Sequence, residues 1–175
     1  MKSSDIKWEL SRIRQQIRQG DESELVIWVI PHMLACSQRP LRDHPQFGGR
    51  SPLPPEAKPE IVSWVDRVKA LGICSIICLL ETDQLDRYYV RGGLNLHPSG
   101  LLGYYEERGF NVSHIPMTDY QRPTNELMNR VLQEFDKIPK PILIQCSAAI
   151  DRTTPVAAFI AARREPTAGS KPHQK

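Results

Sequence analysis

Strand-like and helix-like patterns alternate along this 175-residue chain, and the alternation predicts an α/β fold: a central, mainly parallel sheet flanked by helices. Three observations carry that expectation. The runs LVIWVI (25–30), ICSIICLL (73–80) and PILIQC (141–146) are nearly apolar throughout, as strands covered on both faces are. Between them lie stretches whose apolar residues recur at helical spacing. Gly and Pro stand at the junctions, where chain direction changes.

Taken in order, Ile6, Leu10, Ile13 and Ile17 form one stripe of a helix over 4–19, stopped at Gly20. LVIWVI is the first strand. Residues 31–59 contain seven of the fifteen prolines and are expected to form a loop without helix or strand. Ile61, Val62, Trp64, Val65, Val68 and Leu71 mark a helix that starts near Pro59, a favourable first-turn residue, and ends at Gly72. ICSIICLL is a buried strand, and 84–99 reads as polar and irregular. LLGYYEERG (101–109) is a short helix closed by Gly109, NVSHIPM (111–117) a strand and TDYQRPT (118–124) a loop. Thr124 is placed to cap a helix with Leu127, Met128, Val131, Leu132, Phe135 and Ile138 on its apolar face. PILIQC is the last strand, TTPVAAFIAARR (153–164) the last helix, and 166–175 is expected to be a disordered tail. The organisation is thus an N-terminal helix over 1–24, one α/β domain over 25–165, and the tail.

Composition narrows the function. The net charge of +3 and pI near 8.7 admit an anionic small ligand but fall short of a nucleic-acid-binding signature. No apolar run reaches the ~18 residues of a membrane span, and charges occupy the N-terminus where a signal peptide needs an apolar core. A cytoplasmic protein is expected. The four cysteines, at 36, 74, 78 and 146, are too few for a disulfide framework. Cys74 and Cys78 read as small core hydrophobes, and no metal-ligand set accompanies them. His97 and His114 are not at metal-ligand spacing. Trp8, Trp28 and Trp64 read as core or helix-face residues.

The segment PILIQCSAAIDRTTPVAAFIAA carries the chemistry. A buried strand ends at Gln145, Cys146 follows, and five residues later Arg152 and Thr153 open a helix. Such a junction aims backbone N–H groups and the positive helix end at one point, where a dianion such as phosphate fits. Arg152 can grip two of its oxygens with a planar fork. The field favours the ionised sulfur of Cys146, which can attack phosphorus and form a covalent phosphocysteine.

On these residues the chain resembles the cysteine-dependent protein tyrosine phosphatases, in particular the compact dual-specificity type, whose signature is His-Cys-x5-Arg-Ser/Thr. The resemblance spans roughly residues 25–165 and includes WVIPHMLACSQRP, SIICLLET and GFNVSHIPMTDYQRPT. It implies that Cys146 is the nucleophile and Arg152 the phosphate clamp. It makes Thr153 the hydroxyl that assists the leaving thiolate, and Ser147, Ala148, Ala149, Ile150, Asp151 and Arg152 the loop that binds phosphate. It further implies a phosphoric monoester hydrolase acting on phosphotyrosine and/or phosphoserine/threonine, with a phosphoprotein or a phosphorylated small-molecule or lipid substrate as partner and no cofactor or metal.

The same spacing occurs a second time, from Cys36 to Arg42, but that loop contains Pro40, which has no amide to donate, and no helix follows it. For the general acid, Asp119 on the TDYQRPT loop is the first choice. Asp151 is the rival: it acts as the acid, or it points away and braces the loop by pairing with a cation. The Asp-Arg-Thr ending also occurs in phosphoinositide phosphatases. Gln145 stands where the family has His, and Ala149 where it has Gly. The latter costs about 1 kcal/mol if that residue needs φ > 0. The chain ends soon after Arg152, so helix 4–19 is expected to cover the sheet face that further helices cover in the family. A non-catalytic phosphate-binding module and a rhodanese-type sulfurtransferase are the rivals from other classes. Arg39 and Arg42 are expected to be solvated loop cations, with an approach to substrate phosphate as the alternative. Tyr88 and Tyr89 either flank the substrate or pack in the core.

Overall fold

The computed structural model describes residues 1–164; the tail expected at 166–175 lies outside them. A five-stranded sheet has the order β1-β2-β5-β3-β4. Its strands are β1 (Ile27–Ile30), β2 (Leu34–Gln38), β3 (Ser75–Cys78), β4 (Asn111–His114) and β5 (Ile142–Cys146). β2, β5, β3 and β4 run parallel, and only the edge strand β1 is antiparallel, paired with β2. The mainly parallel α/β architecture expected from the alternating pattern is therefore the one observed.

Among the described residues six α-helices cover the two faces: α1 (Ser3–Arg18), α2 (Lys58–Ala70), α3 (Thr82–Tyr89), α4 (Gly100–Glu107), α5 (Asn125–Lys137) and α6 (Thr153–Arg164), with a 3-10 turn at Pro55–Ala57 leading into α2. Strand side chains alternate between the faces, as a period of two requires. Ile142 and Ile144 of β5, with Cys36 and Ile77, pack under α1, α5 and α6. Leu143, with Ala35 and Ile76, packs under α2, α3 and α4. The stripe Ile6, Leu10, Ile13 and Ile17 of α1 is fully buried in the first of these clusters, so the helix lies against the sheet as expected. Thr124 caps α5 by accepting from the Leu127 amide at 3.2 Å. Gly20, Gly72 and Gly109, read as helix stops, all sit at positive φ.

Two expectations fail. The proline-rich segment 31–59 is not all loop, because β2 lies inside it, and the segment 84–99 is not irregular at its start, because α3 runs through Tyr89. Pro31 and Pro40 stand outside β2, so neither removes a donor from its ladder. The five residues LACSQ are all buried because β2 is paired on both sides, to β1 and β5. Tertiary pairing overrides a composition that reads as loop. α3 is short, and Tyr88 and Tyr89 face the core while Asp83, Asp86 and Arg87 face solvent.

The end of β2 is tied to α1 by charge. Asp43, only 4% exposed, accepts from Arg14 Nε at 2.6 Å and Arg18 Nε at 2.7 Å, with Arg42 Nη1 at 3.5 Å. Burial alone would raise the Asp43 carboxyl, but the hydrogen bonds and charges of Arg14 and Arg18 outweigh it and hold the group below its ordinary value. The stabilisation is therefore full above the ordinary carboxyl range and is lost as pH falls through the folded-state value. Asp43→Asn is expected to destabilise by about 3 kcal/mol at neutral pH. The gap between it and wild type should close below pH 3.8, read by urea unfolding across pH.

Candidate active site

β5 lies between β2 and β3, and Gln38 pairs with Cys146 while Cys78 pairs with Gln145. The loop 147–152 thus leaves the carboxyl end of the central parallel strand, the position at which open α/β sheets form their crevice. Carbonyls at this turn are taken up by the fold. Leu79 N donates to Gln145 O at 2.8 Å, Arg39 N to Ser147 O at 3.1 Å, and Thr154 Oγ1 to Ala149 O at 2.9 Å. Among the described residues none of the amides of 147–152 donates to a protein acceptor. The Ser147 and Ala149 carbonyls are thus occupied, and the loop keeps its amides as free donors. Ala149 takes φ 63°, the left-handed conformation for which Gly is the usual residue, at a cost of about 1–2 kcal/mol.

Cys146 closes β5 beneath this loop and is 2% exposed. Two further thiols lie on the adjacent strands β2 and β3. Burial pushes Cys36 well above its ordinary value, with proximity to Cys146 adding to the rise. Burial likewise raises Cys78, to about 12, against the hydrogen bonds of the Leu80 backbone and Gln145. Both remain thiols at neutral pH. Cys36, the start of the second C-x5-R copy, lies inside β2 and is buried in the apolar cluster under α1, α5 and α6.

Arg152 is 1% exposed and points across the carboxyl edge of the sheet. Its Nη1 is anchored by Gln84 Oε1 at 2.8 Å, Met117 O at 3.1 Å and Leu79 O at 3.4 Å. Nε and Nη2 have no hydrogen-bond partner. Nη2 nevertheless lies 2.9 Å from Asp119 Oδ1, an ion pair without hydrogen-bond geometry. Thr153 Oγ1 is buried without a partner as well. Nε, Nη2 and the Thr153 hydroxyl are thus buried polar groups that the protein itself leaves unsatisfied, which is costly unless an acceptor arrives.

Gln84, which sequence reasoning missed, organises these groups. Besides accepting from Arg152, it donates Nε2 to Asp119 Oδ2 at 2.7 Å and accepts from the Glu81 amide at 3.2 Å. Glu81 Oε2 in turn accepts from the Asp119 amide at 3.3 Å. The start of α3 therefore holds both the guanidinium and the carboxylate. The Glu-x-x-Gln spacing of Glu81 and Gln84, a helix-start pattern directly after a buried strand, was the available signal.

The remaining residues sort plainly. Asp119, with Ser147, Ala148, Ile150 and Asp151, lines one cleft of about 330 Å³. Asp151 is exposed and has no ion-pair or hydrogen-bond partner among the described residues, so the bracing role is not realised. Arg39 is no solvated cation. It is 1% exposed, stacks 3.7 Å over the Tyr88 ring and donates to Gly49 O at 2.6 Å. Arg42 is mostly buried and lines the cleft together with Arg14, Arg50 and Arg87. Tyr88 also lines it, whereas Tyr89 is a core residue whose hydroxyl donates to Pro40 O at 2.9 Å. His114 bonds Leu80 O at 2.7 Å and is structural.

Gln145 is fully buried, and its Nε2 donates to the Tyr105 hydroxyl at 2.9 Å. Its amide is spent on Tyr105 and Cys78, on the α4 side of the sheet. Burial raises the Tyr105 phenol well above its ordinary value, so the hydroxyl stays neutral and available to this pair.

The arrangement can be set beside known proteins. No protein-family model matches the sequence, and no curated protein matches it. Solved structures do. Kinase associated phosphatase, crystallised with its catalytic-site cysteine replaced by serine, superposes with a TM-score of 0.59 at 18% identity, over 85% of this chain and 79% of that one. The fold is that of the dual-specificity-type phosphatases. Tk-PTP in its active form matches this phosphatase fold with a TM-score of 0.50 at 18% identity, over 85% of this chain and 90% of that one. A mutant form of Tk-PTP aligns with a TM-score of 0.44, and the chain spans 61% of its length. Among the described residues no helix is long and apolar enough to cross a membrane.

Removing the Tyr105 hydroxyl tests the buried pair behind the loop 147–152. Tyr105→Phe leaves the Gln145 amide without its acceptor and is expected to cost about 1–3 kcal/mol, read as a lowered urea midpoint at unchanged m-value.

Proposed function

We propose that the protein hydrolyses phosphate monoesters through a phosphocysteine intermediate. The observation that carries this reading is the set of unsatisfied donors around Cys146: the amides of 147–152, Nε and Nη2 of Arg152, and Thr153 Oγ1. Their number and kind suit a tetrahedral oxyanion held over the sulfur.

In the first step the Cys146 sulfur attacks phosphorus, the S–P bond forms and the P–O bond to the leaving group breaks. A carboxylic acid hands its proton to that oxygen. Asp119 fills this role, since Gln84 and the Glu81 carboxylate hold it at the cleft beside Arg152. In the second step water attacks phosphorus, the S–P bond breaks and the same carboxylate takes the water proton. Loop amides and Arg152 stabilise the equatorial oxygens as charge develops, and the Thr153 hydroxyl donates to the sulfur as it leaves. Asp151, exposed at the rim, is the alternative acid. Phosphotyrosine, phosphoserine/threonine and inositol-lipid phosphates are the substrates that the resemblance offers.

A second reading, an oxyanion-binding module without turnover, is favoured by Ala149 at φ 63° and by the Asp119 carboxylate already standing 2.9 Å from the guanidinium. Turnover of p-nitrophenyl phosphate separates the two. The expected result is activity in wild type and none in Cys146→Ser. Asp119→Asn should lose about 10²- to 10⁴-fold, and Asp151→Asn clearly less. Wild-type protein that binds tungstate but releases no nitrophenol would remove the enzymatic reading.

A further inference from the structure

The cleft lined by Ser147, Ala148, Ile150 and Asp151 of the loop after Cys146 has more positive charge than one phosphate monoester needs. Arg14, Arg42, Arg50 and Arg87 all line it, against the carboxylates of Asp119 and Asp151. These arginines come from four separate segments: α1, the turn after β2, the proline-rich loop and α3. Two are occupied elsewhere. Arg87 pairs with Asp83 at 2.8 Å, and Arg50 donates to the Tyr120 hydroxyl. Arg14 and Arg42 share one carboxylate, Asp43, with Arg18, so three guanidiniums stand around a single negative charge. Arg42 is mostly buried, and its contact with that carboxylate, at 3.5 Å, is the longest of the three. Burial lowers its proton affinity most; Asp43 opposes the drop, and repulsion from Arg39, Arg14 and Arg18 adds to it. An anion placed against Arg42 would relieve that repulsion.

We propose that Arg14 and Arg42 form a second anion subsite, and that the substrate is a compact polyol carrying two phosphate groups, one cleaved over Cys146 and the other held by these two arginines. The inference rests on the monoesterase reading above and narrows its substrate class. A volume of about 330 Å³ is at the small-molecule end of binding clefts. Charge converging on one such space from four segments suits a compact polyanion better than a chain with its charges spaced along it. Two sources share this chemistry: a free inositol bisphosphate and the same group as a lipid headgroup.

The test is a ratio of kcat/KM values, for D-myo-inositol bisphosphate over D-myo-inositol monophosphate, measured on one preparation so that any loss of folded protein cancels. Wild type is expected to prefer the bisphosphate at least tenfold. Arg42→Gln and Arg14→Gln should each lower the ratio at least fivefold. Arg18→Gln removes a partner of Asp43 that does not line the cleft, and it should move the ratio less than twofold. A wild-type ratio under two, or equal drops in Arg18→Gln and Arg42→Gln, overturns the subsite. A doubly phosphorylated peptide hydrolysed faster than the inositol compound overturns the polyol assignment. Phosphatidylcholine vesicles carrying phosphatidylinositol bisphosphate, at matched headgroup concentration, separate the sources: faster release from vesicles assigns the lipid, faster release in solution the free polyol. If wild type hydrolyses neither these compounds nor p-nitrophenyl phosphate, the monoesterase reading fails by itself. Calorimetric Kd values for the two inositol phosphates then decide the subsite, a tenfold difference supporting it and equal values overturning it.

Discussion

A peptide unit carries a donor and an acceptor on opposite sides, and at the β5–α6 turn the protein uses only one of them. The carbonyls of Gln145, Ser147 and Ala149 are bonded by Leu79 N, Arg39 N and Thr154 Oγ1. Once Ser147 O and Ala149 O are held, the amides of Ala148 and Ile150 in the same peptide units must face the other way, and no amide of 147–152 has a protein acceptor among the described residues. The cost is visible in Ala149, which takes a left-handed conformation so that the chain can turn this tightly. The rest of the site depends on this asymmetry.

Around the turn, buried polar groups form two assemblies with different balances. In the first, Gln84 joins Arg152 Nη1 to Asp119, and Glu81 secures the Asp119 backbone, so that Nη1 is anchored, Nη2 stands 2.9 Å from Asp119 Oδ1 and Nε has no partner. The anchored Nη1 fixes the direction of the guanidinium, and the edge carrying Nε and Nη2 has the planar fork that suits two oxygens of a tetrahedral anion, with Asp119 as the group now beside it. In the second, Asp43 holds Arg14, Arg18 and Arg42 with one carboxylate, so the assembly retains positive charge. That excess is unfavourable in the isolated protein and favourable toward an anion, which is how stability is exchanged for affinity at a site.

Much of the architecture was legible in the chain. The apolar runs gave β3 and β5, and the helical stripes gave α1, α2, α5 and α6, because burial on one or both faces imposes a period on the residues. β2 and α3 were not legible. LACSQ is flanked by prolines and is only weakly apolar, and it becomes a central strand because β1 and β5 supply ladders on both its edges. Gln84 and Arg14 were missed for a related reason. Each is an ordinary polar residue on a helix, and what each does depends on which distant group it meets: Arg152 is 68 residues from Gln84, and Asp43 is 29 from Arg14.

The order of residues from Gln145 to Thr153 by itself places a sulfur, five linking residues and a guanidinium ahead of a helix start, local features that a short peptide carries with it. Which carboxylate stands beside the guanidinium, which arginines surround the cleft and whether Asp151 finds a cation are long-range matters. They were decided only when the sheet order β1-β2-β5-β3-β4 brought the ends of β2 and β3 to either side of β5. The physical reason is that pairing between distant segments is selected by burial and ladder formation across the whole chain, and no window of sequence contains both partners.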